Sequence, residues 1–367
     1  MKLPFFIRRP WLVLRGTMAN RDTPDLAALA AIDDPEDFVW AILPHAARSF
    51  ATSILVLPRR EAWAAAIAYL YCRILDTYED LHPDVGARPE LLRSFGARFG
   101  DDGLDTPPAI SSALARDDRD RGHVLLLERV ELIDTAYAGL AAEDRASIAE
   151  LVHNMAEGMA WAAETLAAQA GVLEDAGQRA RYCHHVIGEP ALYAMRSLLH
   201  LPVTAPRHAD ALRVSEMIQL ANITRDIEKD LANGLAYHPA LRPDLGSTTL
   251  DAPAEARVRA VREELLLEAL SGVDAYARLV GDLSSSGISQ ARGAAVLMLS
   301  FTDRYYSRCA VRAGHAGWPG ARLSLVIYAN AILATISPGW AAKVVDGIVE
   351  QFHRAAARIG SAPAEAG

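Results

Sequence analysis

The sequence predicts an all-α protein, on three observations. Of its 367 residues 51% are hydrophobic, and that apolar content is carried by Ala and Leu, with only 7% aromatics. The alternating Val, Ile and Thr runs that make half-buried strands are missing, and long stretches free of Pro and Gly recur along the chain. A chain of this length and composition can bury one large core. Residues 35–359 are therefore expected to form a single domain, with 1–34 as an N-terminal appendage and 360–367 as a small, polar, disordered tail.

The acidic Asp33-Asp34-Pro35 closes the appendage, and a helix is expected from about Glu36 to Leu43. Pro44 to Phe50 then leads into an apolar helix ended by Pro58-Arg59-Arg60. The stretch from Glu61 to Leu75 has no Pro or Gly and is rich in Ala and Leu, so it reads as helix, stopping before His82-Pro83. Gly100-Asp101-Asp102-Gly103, Pro107-Pro108 and the charged run from Arg116 to Arg121 mark residues 100–123 as a solvated loop.

Helices are expected again at about 125–139 and 141–170. One from Tyr182 to His200 is expected to kink at Pro190. A second long helix, about 209–231, stops at Asn233-Gly234. Further helices are expected at about 252–282, 286–313, 321–336 and 339–359. The longest uncharged run, Leu323 to Ala342, is interrupted by Ser324, Asn330, Thr335 and Ser337-Pro338-Gly339. Its helix should end near Ile336, too short to cross a bilayer, and reads as a buried core helix.

Net charge is −9 and no basic block is present, which argues against a nucleic-acid partner. The three cysteines, Cys72, Cys183 and Cys309, have no paired spacing, so neither a disulfide framework nor a zinc site is indicated and the reading is cytoplasmic. Arg8-Arg9-Pro10 interrupts the apolar N-terminus, which speaks against a signal peptide.

Two stretches carry the chemistry. Asp76-Thr77-Tyr78-Glu79-Asp80 puts three carboxylates at the end of an apolar helix, with Asp76 and Asp80 one turn apart on the same side. Asp226 and Asp230 repeat the arrangement about 150 residues later. Like charges so close repel unless a cation lies between them, and the economical cation for paired carboxylates is Mg²⁺. Two such pairs facing each other would hold several Mg²⁺ ions, which suits a diphosphate ligand. Arg73 and Arg225, each within a turn of the first aspartate, could fork onto phosphate oxygens. One such pair alone reads as a solvated helix end. Two copies, each on an apolar helix with a neighbouring arginine, argue for a site.

Five blocks then resemble the squalene/phytoene synthase family in order and spacing. They are Arg48-Ser49-Phe50, Tyr71-Cys72-Arg73 with Asp76 to Asp80, Asn154-Met155 with Gly158-Met159, Tyr182-Cys183-His184, and Asn222 to Asp226. The first aspartate block is more similar to squalene synthases than to phytoene synthases. The resemblance implies an isoprenoid synthase-type helical bundle with a central apolar cavity, in which an isoprenyl diphosphate ionises to an allylic cation. It assigns Asp76, Glu79, Asp80, Asp226 and Asp230 to Mg²⁺. It assigns Arg48, Ser49, Arg73, Asn222 and Arg225 to diphosphate, and Tyr182 to the reaction centre.

The sequence departs from the family's pattern where a carboxylate usually precedes the last aspartate, now Lys229. It departs again where an arginine usually follows, now Leu235, and in Ile187-Gly188-Glu189-Pro190. Glu228 points about 100° away from Lys229 and cannot substitute for the missing acid. These losses favour transfer of one short prenyl group to a small, apolar or aromatic, non-diphosphate acceptor, which Glu189 could hold or deprotonate.

The alternative is head-to-head condensation of two isoprenyl diphosphates to squalene, presqualene diphosphate or phytoene. A non-catalytic isoprenoid-binding protein is the third reading, and retention of all four aspartates with Arg73 and Arg225 argues against it. Greasy substrates also suggest peripheral membrane contact. Taken singly, Tyr182 reads as a core tyrosine, Glu189 as a helix-surface acid and the Met155, Met159, Trp161 stripe as core. His184 and His185 are not read as metal ligands.

Overall fold

The computed structural model describes residues 5–18, 23–47, 49–100, 103–284, 288–319 and 324–361, and it is all-α apart from one two-residue ladder. The chain divides into two compact units. The first takes residues up to Glu164 together with Tyr193–His200, and the second takes Thr165–Leu192 and the chain from Leu201 on.

The first unit is assembled on α5 (Arg59–Leu81). Pro58 sets its start, and its interior lacks Pro and Gly. Ala62, Ala66, Ile67, Leu70, Tyr71, Ile74, Leu75 and Tyr78 are each fully buried, so this helix is covered on most sides. Around it lie α1 (Phe5–Met18), α2 (Leu26–Ala30), α3 (Pro35–Ala47), α4 (Ser49–Val56), α6 (Arg88–Ala97), α7 (Asp118–Glu128), α8 (Val130–Ala138) and most of α9 (Ala142–Ala168).

The underside of α5 is an aromatic cluster of Tyr71, Tyr78, Phe95, Phe99 and Tyr137, with neighbouring ring centroids 5.1–6.3 Å apart. Burying rings around Tyr71 also buries its hydroxyl, which must find an acceptor. It donates to Asp134 at 2.7 Å, and Arg98, 2% exposed, forks onto the same carboxylate. In α1, Arg8 pairs with Glu36 and Asp37, while Arg9 donates to the carbonyls of Val56 and Leu57 at the end of α4.

The second unit is assembled on α12 (Ala205–Ala232), with Leu220, Ile223, Ile227 and Leu231 buried. It is preceded by α10 (Ala176–Cys183) and α11 (Glu189–Tyr193). It is followed by α13 (Ala252–Leu270), α14 (Val273–Leu283), α15 (Ser289–Arg312), α16 (Ser324–Ile336) and α17 (Pro338–Gly360). Asn233 and Gly234, the latter at φ +75°, end α12, and the chain then runs parallel to Val172, with the amide of Ala236 donating to Gly171 and that of Leu173 to Ala236. Gly171 (φ +89°) cannot carry a side chain, since a Cβ there would sit 2.1 Å from the Gly234 carbonyl oxygen. That close approach carries Tyr237 onto Tyr182.

Several boundaries differ from the expectation for local reasons. Helix α3 runs through Pro44 to Ala47, because the packing of Phe38 to Leu43 carries it on. The charged run at 116–121 is not all loop: Asp117 accepts from the Asp120 amide and starts α7 at Asp118. A two-residue hairpin ladder, Phe99–Gly100 with Gly103–Leu104, lies in the same excursion.

Around Pro190 the helix is irregular. The residues before it, His184–Gly188, widen into a π turn, which relieves the clash of the ring with the carbonyl four residues back; a second π turn covers Ala194–Leu198. The expected helix at 252–282 is two, broken at Ser271-Gly272. Helix α16 ends at Ile336 as expected, but it is not a buried helix: Leu325, Ile332, Leu333 and Ile336 are exposed and only Ile327, Ala331 and Ala334 face the core. Among the described residues no helix is long and apolar enough to cross a membrane. The expected tail at 360–367 lies outside the described residues beyond Ser361.

Candidate functional site: two carboxylate helices

The last two turns of α5 carry the first set. Arg73 is the pivot. Its Nη1 lies 3.1 Å from Asp76 Oδ2, its Nη2 donates to the Tyr69 hydroxyl at 3.0 Å, and its guanidinium sits 5.8 Å from the centre of that ring. Its Nε is buried and has no hydrogen-bond partner among the described residues. A buried donor left unpaired costs about 1–3 kcal/mol, so it marks a place where an acceptor from outside the chain would be stabilising. Burial works against the charge of Arg73, but Tyr69 and Asp76 raise its pKa above the ordinary arginine value, so it stays a cation.

Burial, only partly offset by Arg73 and reinforced by Asp80, pushes the Asp76 carboxyl up to about 6. Glu79 is half-buried and Asp80 is exposed at the end of the same face. The turn is held by Thr77 Oγ1, which donates to the Arg73 carbonyl at 2.8 Å. Arg48 lies outside the described residues, and so does the side chain of Ser49, whose backbone begins α4.

The second set lies on α12. Arg225 forks onto Asp226, Nε to Oδ1 at 2.7 Å and Nη2 to Oδ2 at 2.5 Å, and its guanidinium is 6.0 Å from the centre of the Tyr305 ring. Asn222 donates to the Gln219 side chain at 3.0 Å. Glu228 is committed elsewhere: both its oxygens accept from Arg262 Nη2 at 2.7 Å, and Arg262, 4% exposed, also donates through Nε to the Thr224 carbonyl. Asp230 borders an apolar pocket lined by Ile223, Ile227, Leu235, Leu241 and Leu265.

Tyr182 is buried, and its ring stacks on Tyr237 with centroids 5.0 Å apart and hydroxyls at 3.4 Å, as a core tyrosine with a bonded hydroxyl would be. Glu189 is half-buried at the start of α11, after the π turn. His184 hydrogen-bonds Glu216 at 2.7 Å. Met155 and Met159 are core residues, and Trp161 is half-buried.

The structure thus brings Arg73, Asp76 and Asp80 together in the first unit and Arg225 and Asp226 in the second. Among the described residues no three His, Cys, Asp or Glu side chains converge as a metal cage, and Asp76 and Asp226 are each paired with an arginine. The chemistry of the donors still fits Mg²⁺. All are hard carboxylate oxygens, and the one soft group near them, Cys72, has its thiol held protonated by burial and by Asp76.

Sequence reasoning missed Tyr69, Arg262, Tyr305 and Arg312. Tyr69 sits one turn before Arg73 and was open to the i, i+4 rule. Arg262, Tyr305 and Arg312 come from other helices 37–87 residues beyond Arg225, and no local pattern points to them.

Comparison with known proteins bears on the family and the fold. Residues 43–324 match the family described as squalene/phytoene synthase. The squalene synthase of Eremothecium gossypii is 30% identical over 212 residues, 54% of this chain and 45% of that protein. Squalene synthase ERG9 of Gibberella zeae is 25% identical over 197 residues, 52% of this chain and 40% of that protein. The matched stretch therefore spans less than half the length of these curated relatives. Two structures of TcSQS, with the ligands BPH1237 and E5700, superpose with TM-scores of 0.63 and 0.64, covering 88% and 89% of this chain and 99% and 100% of theirs. At 19% and 21% identity these likenesses show the fold.

Proposed function

Because the chain belongs to the squalene/phytoene synthase family, we propose that it transfers a prenyl group from an isoprenyl diphosphate with release of diphosphate, by head-to-head condensation of two isoprenyl diphosphates. The family match supports that reaction over the expected aromatic acceptor. The observation that carries the reading is Arg73: a cation kept charged inside the protein, beside Asp76, with a buried Nε that no group of the described chain satisfies.

In this reading Arg73 and Arg225, each within its own unit, are diphosphate-binding residues, as are Arg48, Ser49 and Asn222, a guanidinium being suited to fork onto phosphate oxygens. Tyr69 and Tyr305 hold the two guanidiniums in place. Asp76, Glu79, Asp80, Asp226 and Asp230 would hold Mg²⁺, which when bound neutralises the leaving diphosphate. Tyr182, stacked on Tyr237, would line the reaction centre. Peripheral membrane contact and a cytoplasmic location belong to the same reading. They are supported by the exposed apolar face of α16 and by three buried, unpaired cysteines.

A second reading, transfer to a small aromatic acceptor, is favoured by one feature. Leu235 stands with Asp230 on a narrow cleft of only about 10 Å³, so that flank of the second carboxylate helix carries a hydrocarbon side chain where a further cation is expected. Glu189 would then hold or deprotonate the acceptor.

Product analysis after incubation with Mg²⁺ and dimethylallyl, geranyl, farnesyl or geranylgeranyl diphosphate separates the two. A hydrocarbon or cyclopropyl diphosphate from farnesyl or geranylgeranyl diphosphate alone is expected. Product only when an aromatic accompanies a short donor would replace the first reading with the second.

A further inference from the structure

One depression beside α12 is lined by four cations and only two carboxylates, the excess coming from Arg262 of α13 and Arg312 of α15. Arg225, Asp226, Glu228, Lys229, Arg262 and Arg312 line one open depression of about 530 Å³, within the range of about 300–1,000 Å³ usual for small-molecule sites. Of its four cations, Arg225 is taken by Asp226 and the buried Arg262 by Glu228. Lys229 and Arg312 are left: both are exposed, and among the described residues neither makes an ion pair.

A basic residue in the last turn of a helix ordinarily serves that helix's own carbonyl end. Arg312, in the last turn of α15, does something different. It reaches across to α12 and donates Nη1 to the Arg225 carbonyl at 3.3 Å, which fixes its guanidinium at the rim. A fixed guanidinium and a lysine around one depression, with two carboxylates already neutralised, form a setting for an anion with several oxygens. A diphosphate has oxygens on both phosphorus atoms and can be shared between cations on two helices. A monophosphate offers a shorter reach and less charge.

We propose that Lys229 and Arg312 form a diphosphate-binding subsite that grips the anion by direct charge-assisted hydrogen bonds, with no metal ion needed between them. The inference deepens the proposed function and rests on that reading for its physiological ligand, but binding is measurable without turnover.

The test is calorimetric titration of the full chain with inorganic diphosphate in the presence of EDTA, with inorganic phosphate in a parallel arm. Metal-free binding of diphosphate is expected, weakened at least tenfold by Lys229→Ala and by Arg312→Ala. Lys229→Arg should retain it, and Lys343→Ala, on α17, should leave it unchanged. Absence of metal-free binding in the wild type would overturn the proposal, as would wild-type affinity in either alanine variant, or phosphate binding as tightly as diphosphate. If no isoprenyl diphosphate is turned over, yet metal-free diphosphate binding depends on both residues, the proposed reaction fails and this subsite is supported.

Discussion

Glu228 lies between the two aspartates of α12, and the structure assigns it to Arg262, not to a metal. Glu228→Gln separates those roles. Arg262 is 4% exposed and gives Glu228 two contacts at 2.7 Å, so stripping its partner charge would cost about 3–5 kcal/mol if both groups were buried. Glu228 is 49% exposed, and the glutamine keeps one acceptor oxygen, which reduces the expected loss to about 1–2 kcal/mol. Urea unfolding followed by circular dichroism measures that loss. If Glu228 holds no metal, diphosphate release from an isoprenyl diphosphate should stay within about threefold of wild type, with an unchanged Mg²⁺ requirement. Asp226→Asn removes one of the two carboxylates left for the ion and should cost about 100-fold or more, some 2.7 kcal/mol in the barrier. A Glu228→Gln protein with undiminished stability and a tenfold higher Mg²⁺ requirement would refute the reasoning.

Arg73→Lys should lower diphosphate release nearly as far as Arg73→Ala, about 100-fold, because an ammonium cannot reproduce the fork or supply the Nε donor; full activity in the lysine variant would show that only charge matters there. For His185, burial, helped by the nearby Arg181 and His184 charges, holds the imidazole below its ordinary 6.5. Its contribution is therefore complete above pH 6.5 and is lost as pH falls below that value, where the unfolded chain takes up the proton first. His185→Asn should flatten the decline of the urea midpoint between about pH 6.5 and 5, and an unchanged slope would contradict the assignment. The exposed face of α16 predicts that Ile332→Ser with Ile336→Ser reduces cosedimentation with anionic phospholipid vesicles severalfold; equal sedimentation would remove that face from any membrane contact.

The all-α class was legible because period and composition agree over long segments, and α5 and α12 were found in the chain because Ala-rich, Pro-free runs end in clustered acids. The boundaries that moved did so where tertiary contacts outweigh local signals. Pro44 continues a helix whose preceding turns are buried, and Asp117 caps a run that reads as loop. Helix α16 reads as core by hydropathy alone, but hydropathy reports how apolar a segment is and not how many of its sides are covered. Within the site, the residues on each carboxylate helix could be read from spacing, since neighbours on one helix are fixed by 3.6 residues per turn. What Arg262 and Arg312 do depends on helices packed from far along the chain, and that information is not in any window of sequence.

The most direct test of the account is release of diphosphate from farnesyl and geranylgeranyl diphosphate in the presence of Mg²⁺, followed continuously for the wild type and for Asp76→Asn. The account predicts steady release by the wild type, abolished by EDTA and reduced about 100-fold or more in the variant. No release by a folded wild-type chain from any isoprenyl diphosphate, with or without an aromatic acceptor, would contradict it.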